Sequence, residues 1–374
     1  MPSSKLKNSM LNSIAGSKLT GAMPAISGAS LTGITETTNS ASDPAIDTNG
    51  TLGDIWVNTA SGEMYILTDA TAGSNVWTNI GGGTGGVQLK SPVQGEISGF
   101  VSGGYTGSAV DTIDKYSFTS DGNGTDVGDL TSSFRAPAGQ SSATHGYTSG
   151  GNNGSTTVQK FVFSTGGNAV NVGNLTQGRD SCTGQSSETH GYTTGGNPPI
   201  SPTIDKYSFS TEGTATDVGD LTVSRLDLAG QSSKTHGYTS GGYIVGRSDT
   251  IDRFSFSVDG NATDVGDLTV NRSGPNGQST ATHGYSSGGY QGGYVNTIDK
   301  FTFASSSNAT DVGDLTQARS TGAGHSSMTH GYNACGQTPS KVNTVDKFTF
   351  ATDADATDVG DMTVGREGVA GTQY

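Results

Sequence analysis

The chain has 374 residues, of which 30% are apolar and 59 are glycine, and its formal net charge is −14. So little apolar material excludes a thick conventional core, and an acid excess without any basic stripe excludes nucleic-acid binding. Cys182 and Cys335 stand at non-equivalent places and imply no disulfide framework, and no apolar run approaches the ~20 residues of a membrane span.

Residues 1–35 hold Lys5, Lys7 and Lys18 and no acid, a +3 arm against −17 for the remainder. The opening MPSSKLKNSMLNSIAGSKL lacks the apolar core of a secretory signal. Residues 36–88 read as a small β module with its linker. In GDIWVNTASGEMYILTD, from Gly53, two apolar strands flank TASG as a hairpin, and NVWTNI adds a third short strand. Trp56 and Trp77 both fall here, and GGGTGG from Gly81 is a flexible linker. Such a module buries little core by itself, which favours packing against copies of itself. Its GD-I-W-x-N…G-x-M-Y pattern resembles a short module of bacteriophage tail-fibre proteins. The stretch SKLTGAMPAISGASLTGI, Ser17 to Ile34, is similar to the N-terminal part of marine-phage fibres. This resemblance covers residues 17–80. It implies a virion protein, made in the host cytoplasm and trimeric, whose N-terminus docks on other virion proteins. The basic arm with Lys5, Lys7 and Lys18 suits an acidic docking surface.

From residue 89 the chain repeats. The glycine of each GY or GF falls at Gly99, Gly146, Gly191, Gly237, Gly284 and Gly331, at spacings of 47, 45, 46, 47 and 47. Each period holds four short segments with strand character, and none shows a helical apolar stripe. In TIDRFSFS, Ile251, Arg253 and Ser255 alternate with Asp252, Phe254 and Phe256, the period of a strand. Four antiparallel strands per period, six times, predict a six-bladed β-propeller. The leading Arg135, Arg179, Arg225, Arg272, Arg319 and Arg366, the aromatic strand ending in Gly-Gly and the aromatic third strand together resemble the kelch repeat over residues 89–374. The fourth strand lacks the tryptophan usual in that family. The first unit is split: residues 99–131 supply strands two to four, and REGVAGTQY from Arg366 supplies strand one, so a C-terminal strand closes the first blade.

The six copies differ unevenly. The turns between strands one and two (GQSSATHGY, GQSSKTHGY) and between three and four (SDGNGTDV, VDGNATDV) barely change. The segments between strands two and three do: YTGSAV, NNGSTT, NPPISP, YIVGRS, YQGGYV, QTPSKV. The connections around the leading arginine vary too. In an antiparallel blade these two variable classes share one face, remote from where the chain joins the ring. Contact with an asymmetric ligand needs unlike groups in different blades, so this face is the candidate ligand surface, with Tyr105, Tyr243, Ile244, Arg247, Tyr290 and Tyr294 as its candidate residues. Flat rings beside Gly, Ser and Asn also suit sugars.

Repeated chemistry points elsewhere than catalysis. His145, His190, His236, His283 and His330 are in register, but neighbouring blades lie ~10 Å apart, too far to share one zinc, so these histidines are expected to bond within their blades. The aspartate pairs of strand four (Asp126/Asp129 to Asp358/Asp361, with Asn171/Asn174 in the second copy) could attract calcium, but they suit charges guarding a sheet edge. TSDGNGT, from Thr119, faintly resembles the Asp-box of sialidases without its aromatic, and no Arg triad or Tyr–Glu pair accompanies it. No metal, cofactor or catalytic residue is therefore expected. The reading is a fibre-type attachment protein that binds a host-surface receptor or glycan without entering a membrane. A purely structural head, neck or tail decoration protein is the alternative, and a glycan-degrading enzyme finds least support.

Overall fold

The computed structural model describes residues 37–81, 94–152 and 154–374; Lys5, Lys7, Lys18 and the linker beyond Gly81 lie outside them. The described residues form strands and turns, with no helix. The chain divides into two compact units, Met1–Val87 and Gln88–Tyr374.

In the first unit the strands Thr37–Ser40, Ile55–Asn58, Met64–Asp69 and Val76–Gly81 pair in chain order. Thr37–Ser40 runs parallel to Ile55–Asn58. It reads TTNS, so no apolar alternation announces it in the sequence. The core is small: Tyr65, Leu67 and Trp77 are buried, with Trp56 edge-on to Trp77 at 5.9 Å. Polar bonds fasten the long connection to this core. Trp56 Nε1 donates to the Ser42 carbonyl at 2.8 Å, and Asn58 Nδ2 donates to Asp43 at 2.7 Å.

The second unit is a β-propeller-like set of six four-stranded antiparallel sheets. In sheet one, Ala370–Gln373 pairs with Ser98–Ser102, followed by Val110–Ser117 and Thr125–Phe134. Sheets two to six run in chain order from first strands at Ala138–Ser141, Thr183–Ser186, Ala229–Ser232, Asn276–Ser279 and Ala323–Ser326. Sheet four (Ala229–Ser232, His236–Ser240, Thr250–Ser255, Thr263–Asp267) shows why the repeat is written as it is. Gly237 lies opposite Phe254 on the next strand, and a methyl group on Gly237 would stand 2.3 Å from that ring. The glycine is therefore the floor under an aromatic ring. Tyr238, on the other side of the strand, stacks on Phe303 of sheet five at 4.4 Å. The same cross-sheet stack recurs in Tyr147–Phe209, Tyr192–Phe256 and Tyr332–Phe118. The scarce apolar side chains thus concentrate in thin seams between sheets, where each ring touches two neighbours.

Polar groups latch the same seams. The first strands approach so closely that a methyl on Gly277 would stand 2.0 Å from the Gly230 carbonyl oxygen. Beside that contact, Gln231 Nε2 donates to the Tyr285 carbonyl at 3.0 Å, and the Ser232 N–H donates to Ser279 Oγ at 3.0 Å. The serine bonds run from Ser141 through Ser186, Ser232, Ser279 and Ser326 to Gln373, whose N–H donates to Ser141 Oγ. A second series is purely backbone: Ser181 donates to Ala136, Asp227 to Ser181, Gly274 to Asp227, Thr321 to Gly274, Gly368 to Thr321 and Ala136 to Gly368. All six residues are left-handed, with φ between 52 and 64°.

The leading arginines correct the sequence reading, which placed them among variable surface segments. Arg179, Arg225, Arg272, Arg319 and Arg366 have no exposed surface. Each pairs with a third-strand aspartate that is equally buried: Asp205, Asp252, Asp299, Asp346 and Asp114, at 2.6–3.0 Å. The aspartate reaches the preceding sheet as well. Asp252 accepts from the Thr222 N–H and hydroxyl at 3.1 and 2.7 Å. A guanidinium enters a dry interior only with a counter-ion, and sheet two shows the rule by exception. Its third strand carries neutral Gln159 at that place, and its leading Arg135 is exposed.

Candidate ligand surface

The variable segments are held at their bases by their own sheet. Isolated bridges join Leu226 to Tyr243, Ser273 to Tyr290, Ser320 to Gln337 and Glu367 to Tyr105. Each bridge ties a loop between strands two and three to the connection that leads into strand one. Both variable classes therefore sit at one end of the sheets, with pinned bases and free tips.

Two side-chain groups form there. In the first, the Arg247 guanidinium lies over the Tyr290 ring at 4.6 Å, and Tyr294 meets Tyr290 edge-on at 5.2 Å. These residues come from sheets four and five, so the predicted Arg247, Tyr290 and Tyr294 do converge. Burial pushes the Tyr294 hydroxyl up, with Glu367 and Tyr290 adding to it. In the second group, Arg135 and Lys341 both stand over the Tyr105 ring, at 4.7 and 5.0 Å, and Lys341 lies 3.8 Å from Glu367. Tyr105 thus belongs to a different cluster from the other tyrosines. Sequence reading passed over Arg135 as a repeat marker and over Lys341 altogether. The signal for Arg135 was present in Gln159, the one third strand without an aspartate.

Tyr243 stands at the base of the sheet-four loop, bridged to Leu226 and to Arg247 of the first group, and Ile244 follows it toward the tip. Tyr243 is 37% exposed, and Val245, not singled out from the sequence, is 95% exposed. The Ile244 N–H donates to the Gly246 carbonyl at 2.9 Å, a tight turn that thrusts Val245 outward. Among the described residues neither Arg135 nor Arg247 has a carboxylate partner, whereas the five interior arginines all do. Cations stacked on half-buried rings at one end are the chemical core of the candidate surface.

The opposite end is built differently. Thr144 Oγ1 and His145 Nδ1 lie 2.7 Å apart, and the other four registered histidines make the same bond at 2.8–2.9 Å. Partial burial lowers all five imidazoles from their ordinary value. Ion pairs cross between sheets here: Lys206–Asp259, Lys300–Asp353 and Lys347–Asp121 at 2.5–2.9 Å, and Lys160–Glu212. Strand-four N–H groups also cross, as from Asp220 to Asn261 at 3.1 Å. The constant turns are constant because they fasten neighbouring sheets. Their constancy alone therefore says nothing about ligands, and the weight rests on the open chemistry of the variable end.

Against known proteins the chain matches no family model and no curated sequence. Among the described residues no cluster of three or more His, Cys, Asp or Glu could hold a metal ion. Both thiols are free, and burial pushes Cys182 and Cys335 up to about 11, which keeps them protonated and unreactive. No helix of the described residues is long and apolar enough to cross a membrane.

Proposed function

We propose that this chain is a fibre-type virion attachment protein whose six sheets are the blades of one closed, kelch-like β-propeller. Ala370–Gln373 completes the first blade. Support for closure comes from the two hydrogen-bond series, each of which returns to the sheet where it started. The propeller presents Tyr105, Tyr243, Ile244, Arg247, Tyr290 and Tyr294 to a host-surface ligand of glycan type. The residues before the propeller supply the anchor, with Lys5, Lys7 and Lys18 meeting other virion proteins and the small β module trimerising. The single observation that carries this reading is the company of half-buried tyrosine rings with arginines that lack carboxylates, all at one end of the sheets.

The test is binding of the labelled full-length protein to cells of a bacterial panel. The wild-type chain is expected to decorate at least one strain, and the combined Tyr243→Ala, Arg247→Ala, Tyr290→Ala, Tyr294→Ala variant is expected to lose that signal with its thermal unfolding unchanged. Decoration that survives the combined variant overturns the assignment of this face. Decoration of no strain, with the protein instead found fixed on particle heads or necks, leaves a structural decoration role.

A further inference from the structure

Inside the variable end, on the line where the six connections meet, lies a depression that the repeat does not explain. It is a shallow, open depression lined by residues of five of the six sheets and by the C-terminal segment that leads into the remaining one. Its rim is the series of six left-handed residues: Ala136, Ser181, Asp227, Gly274, Thr321 and Gly368. Only one of the six is charged. The left-handed backbone is common to all six, so what sets Asp227 apart is its carboxylate where sister positions carry small neutral residues.

A second observation is independent of the first. Two residues after each rim position the first strand begins, with alanine at 138, 229, 323 and 370 and threonine at 183. Sheet five alone carries Asn276, which is 4% exposed and lines this same depression. Its Nδ2 has no hydrogen-bond partner among the described residues, and neither does the buried Oγ1 of Thr321 beside it. A buried amide donor left open costs about 1–3 kcal/mol, which an acceptor on a bound guest would recover. Leu228 and Pro275 supply apolar wall next to these groups.

We infer that this axial depression is a neutral-saccharide subsite, in which one sugar hydroxyl donates to the Asp227 carboxylate and accepts from Asn276 Nδ2, with Thr321 Oγ1 serving a neighbouring hydroxyl. Complementarity selects the class. An ammonium group could satisfy Asp227 but cannot accept from Asn276, and a carboxylate could satisfy Asn276 but is repelled by Asp227. A hydroxyl does both. The remaining field agrees: burial, with Asp180 and Glu367 adding, raises the Asp227 carboxyl to about 6, while Ser181 and Arg135 oppose the rise. Although Asp227 still reaches the mouth, the atoms crowding it and the acids near it disfavour any anionic guest. The depression would take the end of a glycan whose further residues lie against the tyrosines of the loops, so the inference rests on the ligand-binding reading of this face.

The experiment is saturation-transfer NMR on the full chain with the methyl glycosides of glucose, galactose and mannose as probes. At least one is expected to receive saturation. Asn276→Ala and Asp227→Ser install residues that sister sheets already carry, so both variants fold, and each is expected to weaken the bound glycoside about tenfold, or ~1.4 kcal/mol. No transfer to any of the three, or equal transfer in both variants, overturns the subsite. If cell decoration is meanwhile still lost in the combined loop variant, only the subsite has failed. If decoration survives that variant as well, the face assignment has failed with it.

Discussion

Buried charge decides the residue scale. Burying Arg225 without Asp252, or the reverse, leaves an uncompensated ion in a seam only one side chain thick. Asp252→Ala is therefore expected to cost about 3–5 kcal/mol in urea unfolding, while Arg225→Met with Asp252→Leu recovers most of it. A single substitution as mild as the double one would show that the pair is solvated in solution. His325 is the second such residue. It replaces the glutamine of sheets two to five, and its Nε2–H donates to the Phe100 carbonyl at 2.8 Å. Burial holds it down at about 4 against an ordinary 6.5, so the native protein keeps it neutral. As pH falls below 6.5 the unfolded chain takes up the proton and the native one does not. Its contribution is whole above pH 6.5 and is lost progressively toward pH 4, by at most about 3 kcal/mol. His325→Gln keeps a donor to the same carbonyl, so the variant should lose less stability than the parent between those values in pH-dependent denaturant unfolding. Parallel curves would contradict the neutral, buried imidazole.

At the scale of elements, each strand of the repeat has one face for its own sheet and one for the next. Gly237→Ala forces the Phe254 ring off its floor and is expected to cost about 1–3 kcal/mol, read as a lower thermal midpoint. This level was the most legible in the sequence. The alternation of TIDRFSFS, the fixed spacing of HGY and the Gly-Gly ends are local patterns, and local patterns survive in one dimension. What stayed hidden was whatever depends on a neighbour. Asp252 looks like any polar strand residue until Arg225 and Thr222 arrive from other segments. The Thr37–Ser40 strand has no apolar face to betray it. The partition of the site into an Arg247–Tyr290–Tyr294 group and a separate Tyr105 group depends on which loops adjoin across seams, and the open amide of Asn276 on which atoms fail to reach it.

The whole molecule substitutes many equal latches for one large core. A chain with 30% apolar residues cannot hold its sheets by burial alone, so the seams repeat ring contacts and serine-series bonds, and five of the six add a glutamine or histidine bond and a carboxylate grip. Such a design is vulnerable where the series must join. Removing Arg366–Tyr374 deletes the ion partner of Asp114 and the strand beside Ser98–Ser102, and opens both hydrogen-bond series at once. That truncation is expected to abolish a single cooperative transition in calorimetry, whereas an unchanged transition would mean that the sheets stack without closing. Under the proposed function the latched end fastens and the variable end displays. Hydrogen exchange over the full chain, free and bound to envelope material from a bacterium it decorates, tests that division most directly. Slowed exchange in segments 105–110, 243–248 and 290–295, with the histidine turns unchanged, is the predicted footprint; protection centred on the turns at His145, His190 and His236 would contradict it.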